Sequence, residues 1–376
     1  MLPMNVSSPA RAFVWRVLVQ ATILLCLVNL AYGWLPRPTL SVYGNAVFPA
    51  RPRLPYSSNP SLDYAISLSD LPALFATHTL THTPKAANEY RVLLLGDSAT
   101  WGFLLPNAAT LASQLNQLAQ PLPNGKTPAF YNIGYPTLSV SKDLLLLAQA
   151  RQYQPDLIVW LLTLESLPNA KQLESPVVQS NRAALQTVFG DSNTSPDWQD
   201  ARWQPAPSGW QRTLFGQRKA AADWLRMQVY AIPWAATGID QAIPTTIPSA
   251  QQDLNADDTF HGMAAGTLTR NQLAWSVLQT GIEQVAPTPV WLVNEPMLRS
   301  TGKNSAIRYN FFYPRAAYDW YRQEFAALAT QQAWQWYDWW DVLPNTVFTD
   351  SAIHYNQAGS ALLAQRLWQQ LQTSSK

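Results

Sequence analysis

A serine stands at the end of a short apolar run, where its type and surroundings could support covalent chemistry. Val92 to Leu95 are all apolar, and Gly96, Asp97 and Ser98 follow at once. This pattern is typical of a buried strand of a parallel sheet that ends in a sharp turn. In open α/β sheets, ligands bind at the carboxyl edge of the strands, and a serine there becomes a nucleophile when a base reaches it. A polar turn between a strand and a helix remains the alternative.

A serine nucleophile needs a base and an acid that orients the base, and the chain has only four histidines. His354 lies just before a helix predicted from about Ala358 to Leu371, and Asp350 lies four residues upstream of it. His354 is therefore the candidate base and Asp350 its candidate partner, with Asp338 and Asp341 as substitutes.

The other histidines are weaker candidates. His261 falls within a long stretch that interrupts the α/β pattern, and a zinc site made of His261, Asp257 and Asp258 is a minor alternative. His78 and His82 have a spacing that could place two metal ligands on one helix face. Threonines at 77, 79, 81 and 83 disfavour a stable helix, so a surface loop is predicted there. We expect no metal and no cofactor.

Further apolar segments indicate the elements that position these side chains. Strands are predicted at 129–133, 157–162 and 289–293, with helix-like stretches between them. Alternating strands and helices predict a parallel sheet covered on both faces. Residues 166–286 interrupt this alternation and are predicted to form a helical insertion that lies over the sheet as a lid. Its tryptophans could stack on sugars, but are expected instead to fill the lid or to lie near a membrane: Trp198, Trp203, Trp210, Trp224 and Trp234.

The N-terminal region is the candidate membrane segment. Residues 13–35 are mostly apolar, Arg11 and Arg16 lie near the start, and no acidic residue occurs before Asp63. Such a stretch is about long enough to span a bilayer, and its flanking positive charge predicts a cytoplasmic N-terminus. We expect an uncleaved anchor, with a cleaved signal peptide as the alternative. The predicted organisation is a cytoplasmic N-terminus (1–12), an anchor (13–35), an extracytoplasmic spacer (36–87) and a catalytic domain (88–376).

Composition excludes several classes of function. The net charge is only +2 and 13% of the residues are charged, so nucleic acid is not an expected partner. The single cysteine, Cys26, excludes a disulfide or a cysteine metal site within one chain.

Three groups of residues together resemble motifs of the GDSL/SGNH hydrolase family. They are Gly96-Asp97-Ser98, Asn132-Ile133-Gly134, and Asp350 with His354 and Gly359. The resemblance covers about 88–166 and 288–372, and it implies a flavodoxin-like three-layer α/β/α sandwich. It also implies Ser98 as nucleophile, His354 as base and then acid, and Asp350 as the orienting carboxylate. The N–H groups of Ser98 and Gly134 would form part of the oxyanion hole.

The chain departs from the family pattern in two places. Glu165 stands where the family usually has an asparagine that donates to the oxyanion, and an ionised carboxylate cannot donate. Either Glu165 is protonated or another group serves, with Thr163, Ser166 and Asn294 as candidates. In addition, three residues separate Asp350 from His354, where the family usually has two.

An α/β-hydrolase would share the order serine, acid, histidine, but Thr100 occupies the second glycine position of its Gly-x-Ser-x-Gly motif.

The sequence thus leads to one main functional hypothesis. It predicts a membrane-anchored, extracytoplasmic serine esterase or O-acyltransferase acting through an acyl-enzyme. The substrate would be an ester, such as an acylated envelope glycan or glycolipid. The alternative is a catalytically weak protein of the same fold that binds glycans or assembles an envelope complex. Protein partners are not predicted.

Overall fold

A computed structural model describes residues 9–34, 49–57, 68–190, 196–205, 207–237, 243–264 and 266–374. The helices in these ranges are α1 (Pro9–Ala31), α2 (Leu71–Phe75), α3 (Thr79–His82), α4 (Ser98–Trp101), α5 (Leu111–Leu118), α6 (Val140–Ala150), α7 (Pro176–Ser180), α8 (Arg182–Phe189), α9 (Arg218–Thr237), α10 (Trp275–Val285), α11 (Arg315–Gln332) and α12 (Gln357–Ser374). The strands are β1 (Glu89–Leu95), β2 (Thr127–Asn132), β3 (Leu157–Leu162), β4 (Val290–Asn294) and β5 (Gln335–Asp338).

The five strands form one parallel sheet in the order β2-β1-β3-β4-β5. Residues 92–95 of β1 are inaccessible to solvent, and β3 is buried along its whole length. Such continuous apolar strands are typical of parallel sheets covered by helices on both faces. The predicted α/β class is confirmed, and the strand order is the flavodoxin-like one.

Helices cover the sheet in two layers. α5 packs against α12 and β2, while α6 packs against α8 and α10. Gly281 of α10 lies so close to β3 that a Cβ atom there would be 2.7 Å from the Trp160 ring. The helix α10 therefore belongs to the sandwich, and the predicted insertion of 166–286 extends too far. The close packing of α10 on β3 depends on Gly281. In a sequence, a glycine within a helix-like stretch can mark either such close packing or the end of a helix, so this contact was not predicted.

The residues before β1 pack into the core where the structure describes them. Leu54, Phe75 and His78 are inaccessible to solvent, so the predicted surface loop is wrong here. The His78 ring lies 2.9 Å from the Asn132 carbonyl oxygen, and burial lowers the pKa of His78 to about 4. His82 Nε2 lies against the Ala76 carbonyl instead, so the two imidazoles have separate backbone partners. The rest of the predicted spacer, 36–48 and 58–67, lies outside the described residues.

The helix α1 stands apart from the sandwich. Most of its apolar side chains are exposed, with Phe13 and Leu25 each more than 60% accessible. The segment Arg11–Trp34 is long and apolar enough to cross a membrane, as an anchor or as a signal sequence. The last residue of the predicted anchor, at position 35, lies outside the described residues.

Candidate active site

The position of Ser98 follows from the sheet order. The chain runs from β1 outward to β2 and then returns to β3 on the other side of β1, so the connections diverge at the carboxyl ends of β1 and β3. Ligand crevices of open α/β sheets form at this kind of switch point. Ser98 is the first residue of α4, directly after β1, and the Asp97 carboxylate accepts the Ala99 N–H at 2.8 Å.

Gly96 allows the turn to fit against the neighbouring strand. A Cβ atom at this position would collide with the Thr100 hydroxyl and lie 3.0 Å from the Leu161 carbonyl oxygen. Both neighbours belong to the packed interior, so they cannot move aside at small cost. The glycine before Asp97 is thus required by close approach, and it fixes the direction in which Ser98 leaves the sheet.

The structure brings Ser98, His354 and Asp350 together. His354 Nε2 lies 2.7 Å from Ser98 Oγ, and His354 Nδ1 lies 3.0 Å from Asp350 Oδ1. Because Asp350 accepts a hydrogen bond from the Nδ1–H and so favours that tautomer, Nε2 presents its lone pair to the serine hydroxyl. The ring also packs against Phe103, with the two centroids 4.9 Å apart.

The four-residue spacing of Asp350 and His354 is accommodated by a turn. Phe348 and Tyr355 form an antiparallel bridge, and Thr349 N–H donates to the His354 carbonyl at 2.9 Å. Burial raises the pKa of Asp350, but hydrogen bonding and charge from His354 outweigh it and hold that pKa below its ordinary value. Asp350 therefore serves as an acceptor for the imidazole without needing the usual spacing.

The substitute acids are engaged elsewhere or exposed. Asp338 pairs with Arg322 at 2.7 Å and accepts the Asn294 amide at the same distance. Asp341 is exposed to solvent. Neither has a contact with His354 among the described residues.

The predicted oxyanion donors are not equally available. The N–H of Ser98 makes no hydrogen bond within the described part of the chain. The N–H of Gly134 already donates to the Asn132 side-chain oxygen at 3.0 Å. Gly134 would therefore have to share its hydrogen with a developing oxyanion, which makes Ser98 N–H the better-placed donor.

Asn294 lies in a separate buried network. Its amide donates to Asp338, and its oxygen accepts from the hydroxyls of Tyr318 and Tyr321 at 3.1 and 3.3 Å. These contacts direct the side chain toward α11, not toward Ser98. Thr163 is likewise paired, because its hydroxyl lies 2.6 Å from the Tyr313 hydroxyl.

Glu165, at the end of β3, forms a second carboxylate–imidazole pair. Both of its oxygens lie 3.0 Å from His261 Nε2, and Lys171 makes an ion pair with it. Glu165 is buried, whereas the His261 side chain is 42% exposed. Since its oxygens accept from two basic groups, Glu165 does not supply the missing oxyanion donor. The alternative zinc site of His261, Asp257 and Asp258 is not formed, because no three metal-ligating side chains come together among the described residues.

Sequence reasoning missed a pair of buried carboxyl groups beneath the serine. Glu295, which follows β4, is buried beside Asp97, and neither of its oxygens nor Asp97 Oδ2 has a hydrogen-bond donor among the described residues. Burial and the charge of Asp97 raise the pKa of Glu295 well above its ordinary value. Glu295 therefore holds its proton to a higher pH than an ordinary glutamic acid, and in that form its carboxyl group is able to donate to Asp97. An acidic residue directly after a buried strand was the only signal for this contact in the sequence.

A buried lysine joins the turns after β1 and β2. Lys142 Nζ donates to the carbonyl oxygens of Gly96 and Tyr135 at 2.7 and 2.8 Å, and it lies 2.6 Å from Asp143. Asp143 also accepts the Trp160 indole N–H. This inaccessible ion pair fixes the backbone on both sides of the serine turn.

A cavity of about 780 Å³ lies elsewhere, between the insertion and the core. Asn169, Gln172 and Trp275 help to line it, and Ser98, Asp350 and His354 do not. Its two arginines are already paired, Arg202 with Asp200 and Arg270 with Glu324. This cavity is therefore not part of the serine site.

The chain is distantly similar to several solved structures. No protein-family model and no curated protein matches the chain. A lipolytic G-D-S-L family protein from Veillonella parvula is similar at 11% identity and a TM-score of 0.35, over 74% of this chain and 96% of the other. A carbohydrate acetylesterase family member from Sinorhizobium meliloti is similar at 12% identity and a TM-score of 0.33, over 76% and 98%.

Proposed function

We propose that this chain is a membrane-anchored serine esterase or O-acyltransferase that works outside the cytoplasm. The contact between Ser98 Oγ and His354 Nε2 at 2.7 Å is the observation that carries the proposal. Carboxylate, imidazole and hydroxyl in this order are the arrangement that activates a serine for acyl transfer. The esterase part has further support from the arrangement's position at the switch point of the sheet.

The proposed reaction has two halves. Ser98 Oγ attacks the ester carbonyl carbon while His354 Nε2 takes the hydroxyl proton, and the carbonyl oxygen becomes an oxyanion facing the Ser98 N–H. The imidazolium then gives its proton to the leaving alkoxide as the ester bond breaks, which leaves an acyl group on Ser98. Water or a sugar hydroxyl then attacks the acyl carbonyl while His354 takes its proton. His354 returns that proton to Ser98 Oγ as the bond between the acyl group and the serine breaks.

The substrate class and the location are parts of the same proposal. The apolar α1 with Arg11 and Arg16 at its start favours an anchor with a cytoplasmic N-terminus. An enzyme held there would meet acylated envelope glycans or glycolipids. Water as acceptor makes it a hydrolase, and a sugar hydroxyl makes it a transferase.

Active-site labelling provides the test. The purified full chain should react with a fluorophosphonate, and Ser98→Ala should abolish the label because the reacting oxygen is gone. Ser374→Ala, which changes an exposed serine at the end of α12, is the matched control and should label as the wild type does. A wild-type chain that is folded yet unlabelled would contradict the proposal.

Such a result would favour a glycan-binding or assembly role. One observation gives that second candidate its basis: Gly134 N–H and Glu165 are both committed to other partners, so fewer oxyanion donors are free. The loss of one such donor typically costs on the order of 10² to 10³ in rate. Labelling at Ser98 distinguishes a slow enzyme from an inactive one.

A further inference from the structure

The helix α9, within the insertion, carries an unusual exposed face. Leu225 and Val229 are each 58% exposed and Ile232 is 46% exposed. Their spacing of four and three residues places them on one side of the helix. Asp223 and Met227, on the opposite side, are buried. The helix therefore faces the protein with one side and presents an apolar stripe outward, and we call Leu225, Val229 and Ile232 the outer stripe.

The segment that leads into α9 is attached to the end of α1. Leu214 N–H donates to the Asn29 carbonyl at 3.1 Å, and Phe215 N–H donates to the Asn29 side-chain oxygen at 2.8 Å. Gly33 lies against Arg212, whose carbonyl oxygen would be 2.7 Å from a Cβ at that glycine. The start of α9 is thus held at the level where the apolar helix ends.

The composition around this junction fits a membrane interface. Trp34, Trp210 and Phe215 are 82%, 61% and 56% exposed. Large amphipathic aromatics are enriched where a bilayer meets water. Lys219 and Arg226 pair with Asp223, the one acidic residue between 209 and 232. Arg212 and Arg218 add further positive charge, and the net charge of the segment favours contact with anionic headgroups.

From these contacts we propose that α9 is an interfacial helix that docks on the bilayer beside the anchor. Its outer stripe enters the boundary between headgroups and acyl chains, and the basic side chains remain among the headgroups. The bilayer is the occupant favoured here, because α1 is able to span it and hydrogen bonds at Asn29 attach the segment before α9 to the end of α1. The inference rests on the proposed anchor, and it adds a second attachment that restricts how the catalytic domain can rotate above the membrane.

Fluorescence quenching in vesicles tests the two attachments separately. The full chain with Cys26→Ser and Val229→Cys carries one environment-sensitive label and is reconstituted into vesicles of neutral and anionic lipid. A matched chain carries the label at Leu362→Cys, because Leu362 is also an exposed leucine but lies on α12. At position 229 we expect a blue shift of the label and quenching by a lipid nitroxide near the headgroup. At position 362 we expect neither the blue shift nor the quenching.

The native Cys26 reports on the anchor itself. Labelled alone, it should be quenched by a nitroxide deep in the acyl chains. Quenching at 26 without quenching at 229 would overturn the interfacial helix and leave the anchor intact, whereas no quenching at 26 would overturn the anchor. A blue shift at 229 without lipid quenching would mean that a protein covers the stripe, and equal quenching at 229 and 362 would mean that the stripe is not special. Both of these results also contradict the inference.

Discussion

Two carboxylate–imidazole pairs lie at the ends of neighbouring strands, and among the described residues only one of them contacts a serine hydroxyl. At the end of β1, His354 uses Nδ1 for Asp350 and presents Nε2 to the Ser98 hydroxyl. At the end of β3, Glu165 accepts from His261 Nε2, and Lys171 contacts the same carboxylate. The pair alone therefore does not define a catalytic site. What distinguishes the two pairs is the group that faces the second imidazole nitrogen, the one that does not contact the carboxylate.

The two pairs also differ in origin and exposure. Asp350 and His354 come from one short turn before α12, so a local bridge fixes their geometry. Glu165 and His261 are 96 residues apart and join the sheet to the insertion. We infer that the first pair is built for proton transfer, while the second holds part of the insertion against the site.

The largest expected effect separates the two histidines. His354→Gln should lower kcat for a soluble ester by roughly 10⁵- to 10⁶-fold, because no other base contacts Ser98 in the described part of the chain. His261→Gln should change kcat by less than about tenfold, since it touches no nucleophile. Steady-state kinetics on both purified variants makes the comparison. Equal losses would mean that the second pair is catalytic as well.

Substitution of the two carboxylates should also separate the pairs, with a larger loss of kcat for Asp350 than for Glu165 but a smaller loss than for His354. Asp350→Asn should reduce kcat on the order of 10³ to 10⁴, because the amide favours the wrong imidazole tautomer. Glu165→Gln removes a charge from the Lys171 pair and should act mainly on KM or stability. A kcat for Asp350→Asn close to that of the wild type would refute the orienting role of this acid.

The smallest expected effect concerns the protonated carboxyl beneath the serine. Glu295→Gln keeps a donor for Asp97 and should retain most activity, whereas Glu295→Ala leaves Asp97 buried without that donor and should lose more. The raised pKa of Glu295 means that folding binds a proton, so its favourable contribution to stability falls as pH rises from about 4 toward the folded pKa.

Chemical denaturation at several pH values measures this linkage. The stability of Glu295→Gln relative to the wild type should therefore increase with pH, because the amide has no proton to lose. A difference that does not change between acidic and neutral pH would show that Glu295 is ionised in the folded protein.

The sequence was sufficient for four of the five strands and for the serine, histidine and aspartate that the structure brings together. The short strand β5 was not predicted, because its residues are half-buried or exposed and form no apolar run. Apolar runs such as Leu157 to Leu162 indicate a buried strand once their short length and flanking turns are considered. The largely buried course of 51–57 and 71–80 was not predictable, because polar residues such as His78 and Arg53 enter the core through backbone partners. Contacts between distant segments, such as Glu165 with His261, leave no periodic signal.

The bond pattern of Lys142 has a consequence for how the proposed enzyme can change its specificity. One ammonium group binds the backbones after β1 and β2, so that wall of the proposed crevice cannot widen without leaving the buried ammonium group short of acceptors. Larger or differently shaped acyl donors must therefore be accommodated on the opposite wall, formed by the end of β3 and the insertion. Directed evolution toward new esters should yield its productive substitutions around 163–171 and 257–263, and few around 134–143.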